Sequence, residues 1–243
     1  MNARGPFQDK TQDKFGIRVE ALSLSRGQRI LFENLSFAAA SGDYVEVLGS
    51  NGSGKTSLLR AMAGLLRPSR GEIAIEGANE PSLALHYVAH ANGLKRETSV
   101  REHLHYWAGL FGGSPSEDFV AQMLDLARVM ALPVRVLSQG QARRLALARL
   151  VVAPRPIWLL DEPGAALDDA GKAVLNELIA AHRANGGIVV AAVHELDDFG
   201  LEEPGERSAG GGRSLEIAPH APLPGAGTVS IRRRTISSVS MRS

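Results

Sequence analysis

Gly49-Ser50-Asn51-Gly52-Ser53-Gly54-Lys55-Thr56 follows a short apolar run, Tyr44-Val45-Glu46-Val47-Leu48, and precedes a segment in which Leu58, Leu59, Met62 and Leu66 are spaced as the buried side of a helix. The eight residues fit G-x-x-x-x-G-K-[ST]. Glycines there let backbone N–H groups turn inward around phosphate oxygens without Cβ clashes. Lys55 is placed to meet β- and γ-phosphates and Thr56 to offer its hydroxyl to Mg²⁺, while the following helix presents its positive end to the anion. A plain glycine-rich turn is the competing reading. The strand before and the helix after favour a phosphate loop and set the fold class as α/β.

Outward from the loop, Ile17 to Leu24 and Ile30 to Phe37 flank the turn Arg26-Gly27-Gln28 and read as antiparallel strands. A further strand pair is expected around Glu72 to Glu76 and Leu85 to Val88. Val100, Leu104, Trp107 and Phe111 then recur at helical spacing, and Ser114-Pro115-Ser116-Glu117 reads as a capping box with Pro at N1 opening a second helix. These helices form an inserted lobe. Parallel-sheet texture resumes at Ile157 to Leu160 and Ile188 to Val193, joined by a helix carrying Val174, Leu175, Leu178 and Ile179 that stops at Gly186-Gly187. The expected organisation is a flexible leader over 1–15, one α/β domain over 16–199 with its helical lobe at about 92–145, and a flexible Pro/Gly/Arg-containing tail over 200–243. Arg232-Arg233-Arg234 is the tail's one basic cluster, read as solvated, with a weak contact to anionic lipid as the alternative.

The 243 residues are 44% hydrophobic and 22% charged, with 27 basic and 26 acidic side chains giving a net charge of +1. That balance argues against bulk electrostatic binding of nucleic acid and leaves a local basic patch open. With no cysteine, thiol catalysis, Cys-based zinc and iron–sulfur ligation are excluded, and a reducing cytoplasm is permitted. The first fifteen residues carry no apolar signal-peptide core, and no run approaches the roughly 18 apolar residues of a membrane span. Any membrane role has to come through a partner.

Two further segments carry chemistry. Ile157-Trp158-Leu159-Leu160-Asp161-Glu162 is an apolar strand ending in two carboxylates at the sheet edge where ligands collect. Asp161 is suited to the magnesium shell and Glu162 to polarising the attacking water as general base. Acid pairs after strands also cap helices, so the phosphate loop gives this pair its meaning. Leu137-Ser138-Gln139-Gly140-Gln141 lies just before a helix read as Ala142 to Val152. It offers a hydroxyl and open backbone donors to an anion, or it is a simple serine cap.

Taken in order, Gly49 to Thr56, Leu137 to Gln141, Ile157 to Glu162, Ala166-Leu167-Asp168 and His194 resemble an ABC-type ATPase subunit from about Ile17 to Glu195. The resemblance implies a P-loop NTPase fold, an ABC-type nucleotide-binding domain with an antiparallel β edge and an inserted α-helical lobe. It implies ATP and Mg²⁺, and a head-to-tail dimer in which Ser138 and Gly140 act on nucleotide held by the second protomer, with Asp168 at the seam. The implied nucleotide-binding set is Gly49, Ser50, Asn51, Gly52, Ser53, Gly54, Lys55, Thr56, Ser57, Ser138, Gly140 and Gln141. Glu162, His194 and Lys55 are the implied catalytic set, and Thr56 and Asp161 the metal ligands.

Ser57 to Pro68, His86-Tyr87-Val88-Ala89-His90 with Gly93-Leu94-Lys95, and Leu137 to Leu150 further resemble the haem-exporter ATPases of cytochrome c biogenesis. This implies ATP hydrolysis driving haem delivery, separate transmembrane permease subunits, no nucleic acid, and a peripheral place on the cytoplasmic face of the inner membrane. An ATPase of another small transporter and a slow nucleotide-dependent switch stay open as alternatives. The chain departs from the superfamily in three places. Ala91, between His90 and Asn92, stands where a glutamine is usual, so His90 or Asn92 is expected to substitute. Arg26 replaces the usual adenine-stacking aromatic, as a stacking guanidinium or a solvated turn residue. The sequence after Glu195 follows no family pattern. The pairs His86/His90 and His103/His105 are not read as a metal site, since residues at i, i+2 do not share a helix face.

Overall fold

Alternation of apolar residues along three parallel strands places one set of side chains on each face of the central sheet. The computed structural model describes residues 15–112, 116–193 and 229–234. Its elements are β1 (Gly16–Arg26), β2 (Arg29–Ala40), β3 (Tyr44–Leu48), α1 (Lys55–Met62), β4 (Arg70–Glu76), β5 (Leu85–Val88), α2 (Val100–Phe111), α3 (Glu117–Met123), α4 (Gln139–Val152), β6 (Ile157–Asp161), α5 (Asp169–Ala184), β7 (Ile188–Ala192) and β8 (Ser230–Arg234). The central sheet has the order β5-β6-β7-β3-β8, parallel except for β8. A second, antiparallel sheet has the order β2-β1-β4.

On one face of the central sheet, Val45, Val47, Ile157, Leu159, Val190 and Ala192 pack with α1 and the antiparallel sheet. On the other, Tyr44, Trp158, Leu160, Val189 and Ala191 pack with α2 to α5. The residues between those side chains in sequence thus serve opposite cores, as a strand's period of two requires. Helix α4 runs between the sheet and the lobe and is buried along most of its length, from Arg143 to Val152.

Five expectations are corrected. Helix α1 ends at Met62, so Leu66 packs on that core from beyond the helix. The strands over 70–76 and 85–88 are not a pair: β4 joins β1, and β5 joins β6. The cap of α3 is Ser116, whose hydroxyl accepts from the Phe119 amide, and not Ser114, which lies outside the described residues. Helix α4 starts at Gln139 rather than Ala142, because Ser138 and Gln141 close a capping box around its first turn.

The fifth correction concerns the tail. Residues 230–234 form β8, antiparallel to β3, where Arg232 stands opposite Glu46 and Arg233 opposite Val45. Ile231 is buried, and Arg233 Nε lies 2.7 Å from the buried Asp43 carboxylate. An arginine run read as solvated therefore supplies an edge strand, and its Arg233 answers the buried Asp43 beside β3. Residues 1–14, 113–115, 194–228 and 235–243 lie outside the described residues.

Candidate functional site

Strand β3 delivers the chain into the loop over 49–54, where the Ser53 amide donates to the Ser50 carbonyl at 3.1 Å and tightens the turn. Gly54, the N-cap of α1, has φ 113°, and a Cβ there would stand 3.1 Å from Leu31 Cβ and 3.2 Å from the Phe32 ring. Only glycine fits this junction. No side chain caps α1 and no acidic residue stands in its first turn, so its leading amides and positive end remain available to an anion. Ser53 Oγ is buried with no hydrogen-bond partner among the described residues. Ser50, Asn51 and Gly52 form the exposed rim of the loop, and Ser57 is half-buried in the first turn of α1.

Lys55 folds back over this loop, its Nζ donating to the Gly49 carbonyl at 2.5 Å. Burial pushes its pKa below the ordinary lysine value, and the charges of Glu162 and Asp161 act against that shift. The two carboxylates thus help to keep the ammonium charged. Thr56 Oγ1 donates to Asp161 Oδ1 at 3.1 Å, and Asp161, only 1% exposed, has its second carboxylate oxygen buried without a hydrogen-bond partner among the described residues. Two hard oxygen donors and an unsatisfied carboxylate oxygen are a donor set that suits Mg²⁺.

Glu162 leaves the end of β6 with φ 49°, a left-handed conformation that is costly for a residue with a side chain. Its amide donates to the Ala192 carbonyl at 3.0 Å. His90 Nδ1 lies 2.9 Å from Glu162 Oε2. The Asn92 side chain is turned elsewhere, accepting from Arg143 Nη1 at 3.1 Å. Of the two residues expected to substitute for the missing glutamine, His90 is therefore the one that reaches the carboxylate.

Arg143 was not singled out by the sequence. Its buried guanidinium donates to the carbonyls of Asp161 at 2.9 Å, Glu162 at 2.7 Å, Pro163 at 3.1 Å and Ala89 at 2.8 Å, besides Asn92. Burial lowers its pKa, opposed by the charges of Asp161 and Glu162. The available signal was three arginines, Arg143, Arg144 and Arg149, in a stretch from Ala142 to Val152 that is otherwise apolar, where a buried guanidinium requires acceptors.

The 137–141 segment, the signature loop of the ABC resemblance, forms a separate cluster. Ser138 Oγ accepts from the Gln141 amide at 3.1 Å and Gln141 Oε1 accepts from the Ser138 amide at 3.0 Å. A Cβ on Gly140 would come within 3.1 Å of the Ala166 carbonyl oxygen. Asp168 caps α5 through the Gly171 amide at 2.9 Å and pairs with Arg144 Nη2 at 2.6 Å. Arg144, then that amide, hold the Asp168 carboxyl below its usual range. His194 lies outside the described residues. Lys55, Thr56, Asp161 and Glu162 thus come together on one edge of the sheet, with Ser138, Gly140 and Gln141 at the start of α4.

A family model described as "ABC transporter" matches residues 32–165, more than half of the chain. The chain is 45% identical over 188 residues to the cytochrome c biogenesis ATP-binding export protein CcmA of Rhizobium meliloti, covering 74% of this chain and 91% of that protein. It is 41% identical over 210 residues to the protein of the same name in Agrobacterium fabrum, covering 82% and 98%. Among solved structures, the ATP-binding subunit of an ABC transporter superposes with a TM-score of 0.67 at 25% identity, over 74% of this chain and 80% of that one. Among the described residues no helix is long and apolar enough to cross a membrane. With a phosphate loop on β3, a carboxylate-ended β6 beside it and a capped signature helix, the chain belongs to the ABC transporter family of ATP-binding subunits, in the group of the cytochrome c biogenesis export proteins.

Proposed function

We propose that this chain is the ATP-hydrolysing subunit of an ABC transporter that powers haem export for c-type cytochrome biogenesis, working as a head-to-tail dimer beneath separate transmembrane permease subunits. The observation that carries the ATPase reading is the convergence of Lys55, Thr56, Asp161 and Glu162 around an uncapped helix start. The haem assignment rests on the names and coverage of the relatives.

The loop amides over 49–55 and the first turn of α1 hold the triphosphate, with Lys55 Nζ leaving its carbonyl partners for β- and γ-phosphate oxygens. Thr56 Oγ1 and Asp161 are the residues that would hold Mg²⁺, which when bound offsets charge on the phosphate oxygens. Glu162 Oε accepts the proton of the attacking water, and His194 is assigned to the γ-phosphate. Ser138 is suited to act across the seam: its oxygen already accepts the Gln141 amide, and its own hydrogen is there to be donated to a phosphate of the facing protomer. Gly140 and Gln141 shape that helix start, and Asp168 lies at the seam. Cargo selectivity is assigned to the permease partner, and this subunit to the cytoplasmic side of the inner membrane.

Two experiments test this. Steady-state phosphate release with magnesium and ATP is expected to be fast in the native chain and to collapse in Glu162→Gln; equal rates would mark a nucleotide switch rather than a motor. Co-purification from membranes is expected to recover a permease whose presence makes ATP turnover respond to haem. Recovery of a sugar or peptide permease would end the haem assignment and leave the ATPase assignment standing.

A further inference from the structure

The 89–92 segment and the Glu162 turn are suspended from one helix. Arg143 of α4 donates at once to the Ala89 carbonyl and the Asn92 side chain on one side, and to the Asp161, Glu162 and Pro163 carbonyls on the other. Arg149, two turns further along α4 and packed with its guanidinium 4.8 Å over the Trp107 ring, donates to the Asn92 carbonyl at 3.0 Å. His90 is carried between these anchors, and its Nδ1 meets Glu162 Oε2 at 2.9 Å.

Two exposed side chains in contact would count for little, since holding both in one geometry costs entropy that a solvated pair barely recovers. Here the backbones at both ends are already fixed by the same guanidinium, so the contact is largely preorganised. The Glu162 backbone is itself in a left-handed conformation, and a ring nitrogen donating to Oε2 restricts the torsions of its carboxylate.

We propose that His90 is a positioning residue for ATP hydrolysis: donating from Nδ1 to Glu162, and held by the Arg143 and Arg149 contacts to the 89–92 segment, it orients the general base and ties that orientation to α4, the helix that begins at Ser138. The proposal rests on the reading of Glu162 as the base. It assigns to a histidine and two buried arginines a link between signature helix and base in a chain with Ala91 where a glutamine is usual.

The test is phosphate release by the full chain with magnesium and ATP, comparing native protein, His90→Ala, His90→Gln and Glu162→Gln side by side. His90→Ala is expected to lower kcat about tenfold with KM for ATP within about twofold. His90→Gln, whose amide nitrogen can donate to the same oxygen, is expected to recover to within about threefold of native. A purely structural role would not separate these two variants in kcat. His90→Ala turning over at the native rate, the two variants being equally slow, or the loss appearing in KM would each overturn the proposal. If Glu162→Gln is inactive while His90→Ala is native-like, the positioning role alone fails; if Glu162→Gln turns over normally, the base assignment fails and takes this proposal with it.

Discussion

The phosphate loop and the signature loop are both glycine-bearing turns that open a helix, yet they leave their helix ends in opposite states. At α1 the N-cap is a glycine with φ 113°, no side chain satisfies the leading amides, and the nearby Ser53 hydroxyl is buried without a partner. At α4 the N-cap is a serine inside a closed capping box. One end is complete only with an anion present. The other is complete by itself and carries a hydroxyl hydrogen outward. In the proposed head-to-tail dimer, this contrast would let one chain contribute both halves of a composite site: the first half would bind nucleotide within the protomer, and the second would offer a stable surface to the nucleotide of a neighbour.

The largest test of that contrast removes the ligand-dependent half. Lys55→Ala is expected to cut phosphate release by about a hundredfold or more, with nucleotide affinity falling too, since the charge on the phosphates loses its nearest cation. Thermal stability measured without nucleotide should change little or rise, because the lysine is buried against its own desolvation cost. A variant that still hydrolyses ATP at the native rate would remove the loop from the site.

A second effect, on stability rather than turnover, is expected from acid, and it acts on the supports of both halves. His86 ties β5 to the Ala153 carbonyl at the end of α4, and His182 stacks on Trp158 of β6 at 3.8 Å. Burial pushes both imidazoles down from 6.5 to about 4. Both are neutral in the fold, so their contribution is fully present above pH 6.5 and is lost as pH falls towards 4, where the unfolded chain takes up protons that the folded chain refuses. Each group accounts for about 3 kcal/mol over that window. Melting temperature against pH should therefore drop steeply between pH 6.5 and 4. His86→Gln should flatten part of that drop, and a profile indifferent to the substitution would contradict the assignment.

The smallest effect isolates the self-capped half. Ser138→Ala should destabilise the chain by about 1 kcal/mol, the usual worth of an N-cap, while Ser138→Asn should keep the cap. If both slow ATP turnover equally, the hydroxyl is needed for chemistry beyond its capping bond. If Ser138→Asn is native-like, the serine is a cap and no more.

How much of this was legible in the sequence follows the range of the interactions. The phosphate loop and the acids ending β6 are encoded within about ten residues each, and the structure places Lys55, Thr56, Asp161 and Glu162 together. The start of α4 was also encoded locally: Ser138 and Gln141 are spaced as a capping box, a signal outweighed by the glycine between them. Arg143 could not be read in the same way, because its acceptors lie 18 to 54 residues away in sequence. Nor could β8, whose Arg233 meets Asp43 across most of the chain. The left-handed backbone at Glu162 gives no sequence signal either, since the residue is not a glycine. Local chemistry points to the ligand, and distant hydrogen bonds hold the turn that carries Glu162.

The composite site is tested most directly by measuring molar mass in solution for Glu162→Gln, which is expected to bind ATP without consuming it. With magnesium and saturating ATP the mass should double from the 25.8 kDa of one chain, and Ser138→Ala introduced into the same protein should weaken that doubling. A mass that stays at one chain with nucleotide demonstrably bound would contradict an ATP-sandwiched dimer.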